Sequence, residues 1–231
     1  MRAYWKASVS PAYSFFLSIG LLVAYEGILR LAGSSSTERN LIDQWLTRIL
    51  GWASPYEWVV SLGVVLFGLA YVYGIRREKG KVSEWVFILM LIEAAAWGLL
   101  LYKGLPILMA SLRPPSPAQL AWLTADFWRA IGQCMGAGFY EELFFRVLLV
   151  EALHFLLAGM RTTRHSASPL VAAWTISAGL FSAAHFLYEP LTLYAFLYRF
   201  IFGLFMSGLY ILRGFGITAW THALYDIYTV I

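Results

Sequence analysis

Apolar residues fall in long blocks along this chain, and most of the polar residues collect between those blocks. A block of about 20 apolar residues matches the length of a helix that crosses the hydrocarbon core of a bilayer. The pattern therefore predicts an all-α fold, a polytopic integral membrane bundle of about seven transmembrane helices with additional interfacial helices. The predicted spans cover residues 13–31, 58–75, 85–102, 135–157, 170–187, 191–212 and about 213–231.

Two stretches between the spans predict helices that lie along the membrane. Residues 41–50 carry apolar side chains at helical spacing with polar ones between, which is typical of a surface helix. Residues 118–158 are too long for one span, because a single helix of that length would measure about 60 Å. We therefore expect a break at Gly132, Gly136 and Gly138, with an interfacial or re-entrant helix over 118–131. Prolines predict a loop over 104–117.

Composition supports the membrane interpretation and excludes several classes of protein. Of the 231 residues, 60% are hydrophobic and 13% are charged, and the mean hydropathy is +0.67. A soluble domain does not have this composition. The net charge of +4 could suggest nucleic acid as a partner, but the basic residues form no stripe that could follow a nucleic acid. The expected environment is a lipid bilayer.

The distribution of basic residues predicts the orientation, because cytoplasmic loops of membrane proteins are enriched in Lys and Arg. With a cytoplasmic N-terminus, the inner segments contain Arg2, Lys6, Arg76, Arg77, Lys79, Lys81, Arg161, Arg164 and Arg213. The outer loops contain four, Arg39, Arg48, Lys103 and Arg113, apart from Arg129 in the predicted interfacial helix. This difference favours a cytoplasmic N-terminus and a C-terminus outside.

Three polar clusters lie inside predicted spans, where each charge costs roughly 2.5–3.5 kcal/mol on insertion scales. The first is Glu141 and Glu142 with Arg146, the second is His185, and the third is His222 with Asp226. Glu142 and Arg146 are four residues apart and share one helix face, which leaves Glu141 pointing about 100 degrees away. We expect Arg146 to hold Glu142 and Glu141 to be free for chemistry.

A carboxylate and two histidines on three helices are the groups that a water-activating site needs. The carboxylate and one imidazole can take the proton of a water molecule, and the other imidazole can stabilise an oxyanion. Glu141, His185 and His222 could instead bind a catalytic zinc ion, although the common zinc-protease spacings are absent. Glu93 and Arg199 are two further charges in predicted spans. Each could line the site or form an interhelical ion pair.

Together, the motifs Glu141-Glu142-x-x-x-Arg146, Phe181-x-x-x-His185 and His222-x-x-x-Asp226 resemble those of the CAAX protease and bacteriocin-processing enzyme family. These are glutamic-type intramembrane proteases that include the type II CAAX prenyl endopeptidases. The resemblance implies that Glu141 and His185 activate water without a metal cofactor, and that Glu142 and Arg146 shape the site or contact substrate. It also implies that His222 and Asp226 form the oxyanion site. The resemblance spans about residues 138–228.

The chain departs from the family pattern at Asp226, where family members often have Asn. An ionised Asp would repel an oxyanion, so Asp226 is either protonated by burial or orients His222. Val147 stands where a Gly often follows the motif arginine. We interpret residues 1–231 as one membrane domain, with N-terminal spans of unassigned role over 1–117 and the catalytic core over 118–231.

These expectations converge on an intramembrane endopeptidase that cuts a protein or peptide substrate near a membrane-anchored or C-terminal end. The predicted orientation would open its site to the outside, which favours exported proteins with C-terminal sorting signals in a prokaryotic inner or plasma membrane. Two alternatives stay open. One is a non-catalytic protein of the same fold that binds a peptide or gives bacteriocin immunity, and the other is a proton-coupled transporter.

Overall fold

A computed structural model describes residues 2–33, 39–50, 58–75, 83–112, 125–159, 168–187 and 189–231. Every regular element in these ranges is helical, which confirms the predicted all-α class. The α-helices are α1 (Arg2–Ser8), α2 (Pro11–Leu31), α3 (Leu41–Leu50), α4 (Trp58–Ile75), α5 (Glu84–Leu108), α6 (Ala125–Gly136), α7 (Glu151–Gly159), α8 (Ser168–Ala184), α9 (Leu193–Arg213) and α10 (Phe215–Val230). Two π-helical segments, Ala137–Glu141 and Leu143–Val150, join α6 to α7. Short 3₁₀ turns lie at Ala110–Leu112 and His185–Leu187.

Four helical segments are long and apolar enough to cross a bilayer: Pro11–Leu31, Glu84–Leu108, Pro169–Leu187 and Leu193–Arg213. They correspond to the first, third, fifth and sixth predicted spans. Helix α10 has 16 residues, fewer than the 20 or so that a span usually needs. The count of about seven spans therefore stays a prediction. The basic loops at 76–81 and 161–164, on which the predicted orientation depends, lie outside the described residues.

The predicted loop over 104–117 is wrong at its start, because α5 continues through Pro106 to Leu108. A proline in a helix removes one backbone hydrogen bond. Here the loss falls in the last turn, and the buried side chains of Leu101 and Leu105 anchor that end of the helix. Residues 113–124, which include the rest of that loop and the start of the predicted interfacial helix, lie outside the described residues.

The predicted break at Gly132, Gly136 and Gly138 is also wrong, since the backbone is helical without interruption from Ala125 to Gly159. The chain changes from α- to π-helical geometry there instead of turning. These glycines serve packing. A Cβ atom at Gly136 would lie 2.5 Å from the ring of Tyr25, and one at Gly132 would lie 3.0 Å from Leu29.

Helix α10 lies among the other helices and contacts α2, α5, α6, α9 and both π-helical segments. Much of its buried surface consists of small residues: Gly216, Thr218, Ala219, Thr221 and Ala223. Small residues let helices approach closely, which favours their association in lipid. Gly98 of α5 approaches α10 from one side, and Gly138 approaches it from another. This packing carries the third motif into the interior of the bundle.

Replacing Gly138 by Ala is expected to destabilise the protein by about 1–3 kcal/mol, the range typical of overpacking. The added methyl group would lie 2.5 Å from the carbonyl oxygen of Ala219 and 2.9 Å from the backbone nitrogen of Ala223. Gly179→Ala is the matched control, because a Cβ atom there meets nothing within 4 Å. Thermal unfolding in one detergent measures both variants. Equal midpoints for the two would contradict the close packing at Gly138.

One end of the bundle brings together the starts of α2, α5 and α10 and the end of α9. The Ser83 amide donates to the Tyr13 hydroxyl at 2.7 Å, and the Arg213 guanidinium donates to the Ser8 hydroxyl at 2.8 Å. Helix α10 starts at this end, directly after Gly214, and runs toward the other. The two termini therefore lie at opposite ends of the bundle. Which end faces the cytoplasm stays a prediction.

Candidate active site

The adjacent carboxylates of the first motif lie where the helix between α6 and α7 is π-helical. Glu141 ends the first π-helical segment, and Glu142 lies between the two segments. Such turns are rare and occur frequently at functional sites. The Glu142 side chain is fully buried, whereas that of Glu141 is 12% exposed. The two carboxylates therefore have different surroundings, although they are neighbours in sequence.

Two buried cationic or polar groups flank the Glu142 carboxylate. Arg146 Nε lies 3.1 Å from Glu142 Oε2, and His222 Nδ1 lies 2.6 Å from Glu142 Oε1. The Arg146 guanidinium also lies over the ring of Phe181, 4.6 Å from its centroid. These contacts join the first motif to the second and the third.

The imidazole of His222 lies between two carboxylates, because its Nε2 is 3.4 Å from Asp226 Oδ2. A neutral imidazole carries only one N–H. If both carboxylates were ionised, one ring nitrogen would present its lone pair to an anion. One additional proton shared between His222 and Asp226 removes that repulsion. The third motif is therefore suited to holding a proton at this position.

Phe181 and His185, the two ends of the second motif, meet through a backbone hydrogen bond. His185 Nδ1 lies 2.9 Å from the Phe181 carbonyl oxygen. A carbonyl oxygen only accepts, so Nδ1 carries the proton and Nε2 is left as an acceptor. The Phe181 ring packs edge-on against His185 and His222, with centroids 4.9 and 6.0 Å away. The aromatic residue of the motif thus supports both imidazoles.

The acceptor nitrogen of His185 faces Glu141. His185 Nε2 lies 4.0 Å from Glu141 Oε2, too far for a direct hydrogen bond but within reach of both through one water molecule. The other carboxylate oxygen, Oε1, accepts a 2.9 Å hydrogen bond from the side-chain amide of Asn40. One oxygen of Glu141 is therefore fixed, and the other is directed toward His185.

These groups border a cavity of about 560 Å³. Pro106, His185 and Thr229 lie near the C-terminal ends of their helices, and Tyr194 lies near the start of α9. The cavity therefore lies toward the end of the bundle opposite residues 2–8. The residues that line it are Pro106, Ala137, Glu141, Phe181, His185, Tyr194, Ala195, Tyr198, Arg199, Phe202, His222, Tyr225, Asp226 and Thr229.

The two additional candidates, Glu93 and Arg199, lie in different places: only Arg199 is at the cavity. Arg199 lines the cavity, and its guanidinium pairs with Glu189 at 2.5 Å. Glu93 is not among the described residues that line this cavity. Its carboxylate accepts hydrogen bonds of 2.6 and 2.7 Å from Arg213, so it takes part in an interhelical ion pair.

Sequence reasoning missed Asn40 and the aromatic wall of the cavity. Asn40 precedes α3, and its position before an amphipathic helix is a recognisable N-cap signal, but that signal does not reveal a second contact with Glu141. Tyr198 and Tyr225 share a 2.7 Å hydrogen bond between their hydroxyl groups. Both tyrosines lie in predicted apolar spans, where sequence alone does not distinguish a cavity-lining aromatic residue from a lipid-facing one.

Glu141, His185 and His222, the set that could bind zinc, border one cavity. Within the described ranges, no three His, Cys, Asp or Glu side chains form a group that could hold a metal ion. Both nitrogens of His222 face carboxylates.

Comparison with known proteins adds one finding to this geometry. A family model described as "Type II CAAX prenyl endopeptidase Rce1-like" matches residues 122–228. The matched stretch contains all three motifs and ends before the last residues of α10. It leaves out α1 to α5, and with them Asn40. Searches of curated proteins and of solved structures found no match.

Proposed function

Because a family model of Rce1-like type II CAAX prenyl endopeptidases matches residues 122–228, we propose that this membrane protein belongs to that family and is a glutamic-type intramembrane endopeptidase. It hydrolyses a peptide bond near a membrane-anchored or C-terminal end of a protein substrate. The observation that carries the proposal is the approach of Glu141 Oε2 to His185 Nε2, 4.0 Å apart at the wall of a cavity.

In the proposed reaction, a water molecule binds between Glu141 and His185. Glu141 takes a proton from the water as its oxygen attacks the carbonyl carbon of the scissile peptide bond, and His185 Nε2 accepts the second hydrogen bond of the water. The carbon–nitrogen bond then breaks, and the leaving amine receives the proton that Glu141 holds. Carboxyl and amine products form without any other reactant.

The oxyanion of this reaction is stabilised by the third motif. Asp226 is the more accessible member, with 28% of its side chain exposed against 4% for His222. When the additional proton sits on Asp226, its carboxyl group is neutral: it no longer presents an anion to His222, and it can donate a hydrogen bond to the oxyanion. Glu142 holds the His222 ring through Nδ1. Arg146 in turn pairs with Glu142.

We expect the wild-type protein to lose activity at alkaline pH, where the shared proton is lost. Replacing Asp226 by Asn is expected to preserve cleavage and to make this loss smaller. The Asn amide has nearly the same shape and donates a hydrogen bond without depending on the shared proton. Asp226→Leu, which supplies no donor, is expected to lower kcat by about 10²-fold or more. Profiles of kcat against pH for the three proteins test this. A profile for Asp226→Asn with the same alkaline limb as wild type would argue against the shared proton.

The cavity favours a substrate segment with apolar side chains. Phe181, Tyr194, Tyr198, Phe202 and Tyr225 form most of its aromatic wall. The cavity lies toward the end of the bundle opposite the N-terminus, so a cytoplasmic N-terminus would open it to the outside. We therefore propose exported proteins with C-terminal sorting signals as substrates, in a prokaryotic inner or plasma membrane. A C-terminal tag that is accessible only from the cytoplasm would overturn this part of the proposal.

The test uses purified full-length protein in liposomes with a lipid-anchored peptide whose apolar tail extends past the anchor. Mass spectrometry of the products identifies the bond that is cut. Wild-type protein should release the tail, and Glu141→Gln should not. Equal cleavage by both proteins would show that Glu141 is not the base. The absence of cleavage by wild type across a peptide library would favour a non-catalytic binding protein.

The same assay tests the proposed metal-free mechanism. Incubation with a strong chelator, followed by its removal, should leave the cleavage rate unchanged. Loss of activity that zinc restores would replace the general-base mechanism with a metal-dependent one, in which the zinc ion would have to be held by side chains near Glu141 and His185.

A further inference from the structure

Asn40 lies outside the part of the chain that matches the family model, yet its side chain contacts the proposed catalytic base. We propose that Asn40 is a positioning residue, which fixes the carboxylate of Glu141 so that its free oxygen faces His185. This inference rests on the proposed function. It also gives the N-terminal part of the chain a role in catalysis.

The geometry of the Asn40 amide defines which of its atoms meets Glu141. Its Oδ1 accepts a 3.0 Å hydrogen bond from the backbone N–H of Ile42, as an N-cap residue does. The amide group has its acceptor on one side and its donors on the other. With Oδ1 engaged at the start of α3, Nδ2 points toward Glu141 and donates to Oε1 at 2.9 Å. One side chain thus caps α3 and holds a residue 101 positions away.

A buried network holds Asn40 itself in place. Its backbone N–H donates to the Tyr25 hydroxyl at 3.0 Å, and that hydroxyl donates to Asp43 Oδ2 at 2.8 Å. Arg39 pairs with Asp43 and with Glu26 of α2. Asn40 is 6% exposed, while Tyr25 and Asp43 are fully buried. The network ties the start of α3 to α2, which gives the amide a fixed position relative to Glu141.

Asp43 lies on α3 and Arg39 lies just before it, and both are outside the segments long enough to span a membrane. Burial raises the pKa of the Asp43 carboxyl, and the charge of Arg39 beside it acts in the opposite direction. The pair therefore offsets part of the cost of its own burial, as a paired and hydrogen-bonded charge must.

The hydrogen bond has a direct consequence for Glu141. The last side-chain torsion of a glutamate, χ3, has a broad distribution and does not by itself fix the orientation of the carboxylate. Bonding of Oε1 to Asn40 restricts that torsion and leaves Oε2, which accepts no hydrogen bond from any described residue, directed at His185. Precise orientation of a catalytic group is worth orders of magnitude in rate. Loss of this bond should lower kcat more than it changes KM.

Asn40→Asp separates positioning from capping. Asp has the same shape and is an equally good N-cap, but it replaces the donor by an oxygen that faces Glu141 Oε1. We expect kcat at neutral pH to fall about 10- to 100-fold, the effect of losing a hydrogen bond to a charged group. Activity should partly recover as the pH is lowered, because one proton shared by the two carboxyl groups restores the bond. KM should change little.

Asn40→Ser is the second variant. Serine keeps an oxygen that can cap α3 but is too short to reach Glu141, so kcat should fall without recovery at acidic pH. If Asn40 only caps α3, both variants should retain the kcat and pH profile of wild type, and that result would overturn the inference. Glu141→Gln distinguishes this failure from failure of the proposed function. An active Glu141→Gln variant contradicts the protease mechanism, whereas an inactive one beside fully active Asn40 variants contradicts positioning alone.

Discussion

Replacing Glu141 by Gln is expected to reduce the kcat of peptide cleavage by about 10²–10⁴-fold, the contribution typical of a general base. The Gln side chain has nearly the same shape, and its oxygen can still accept the hydrogen bond from Asn40. Its amide group cannot accept a proton from water. The substitution therefore removes the chemistry and keeps the packing, so KM and thermal stability should change little.

Glu151→Gln is the matched control for this experiment. Glu151 begins α7 on the same continuous helix as Glu141, is exposed, and is not among the described residues that line the cavity. Its replacement should leave kcat unchanged. Single-turnover cleavage in liposomes measures both variants. Comparable losses for Glu151→Gln and Glu141→Gln would mean that the effect comes from the helix as a whole and not from one carboxylate.

Local features of the site follow from sequence because they depend on helix geometry. Residues four apart on a helix share a face, and Arg146 and Glu142 form an ion pair at 3.1 Å as this spacing predicts. The same rule predicts that His222 and Asp226 are neighbours, and their side chains approach to 3.4 Å. Helix positions for 41–50 and 58–75 are also predicted correctly, since long periodic or apolar runs specify helices clearly.

Contacts between distant parts of the chain could not be predicted, because hydropathy does not reveal which helices are neighbours. Glu93 and Arg213 pair across 120 positions, and neither has a distinguishing local pattern. The link from Asn40 to Glu141 is of the same kind. The contact between His222 and Glu142, across 80 positions, is a third example.

The glycines near the first motif show why one residue type allows two interpretations. Glycine lacks a Cβ atom, so it can interrupt a helix or let another backbone approach. The sequence favoured an interruption because a helix over the whole block exceeds the bilayer thickness. The structure shows close approach, since α10 occupies the space beside Gly138. Only the tertiary arrangement decides between the two uses.

Arg146→Met is expected to lower the free energy of unfolding by about 3–5 kcal/mol, the cost of leaving a buried charge without its partner. Arg146 and Glu142 are both fully buried. The Met side chain fills most of the volume of the arginine stem and keeps contact with the Phe181 ring, but it offers Glu142 no positive charge. The loss should appear in chemical or thermal unfolding in detergent, together with lower cleavage activity.

The double variant Arg146→Met with Glu142→Leu isolates the electrostatic origin of this loss. Removing both charges leaves no uncompensated carboxylate, so much of the stability should return. Activity should remain low, because His222 loses the carboxylate that holds its Nδ1. Arg199→Met is the control, since its partner Glu189 is 51% exposed and a pair of that kind contributes about 0–1 kcal/mol. Additive losses in the double variant would show that Arg146 acts through packing and not through its charge.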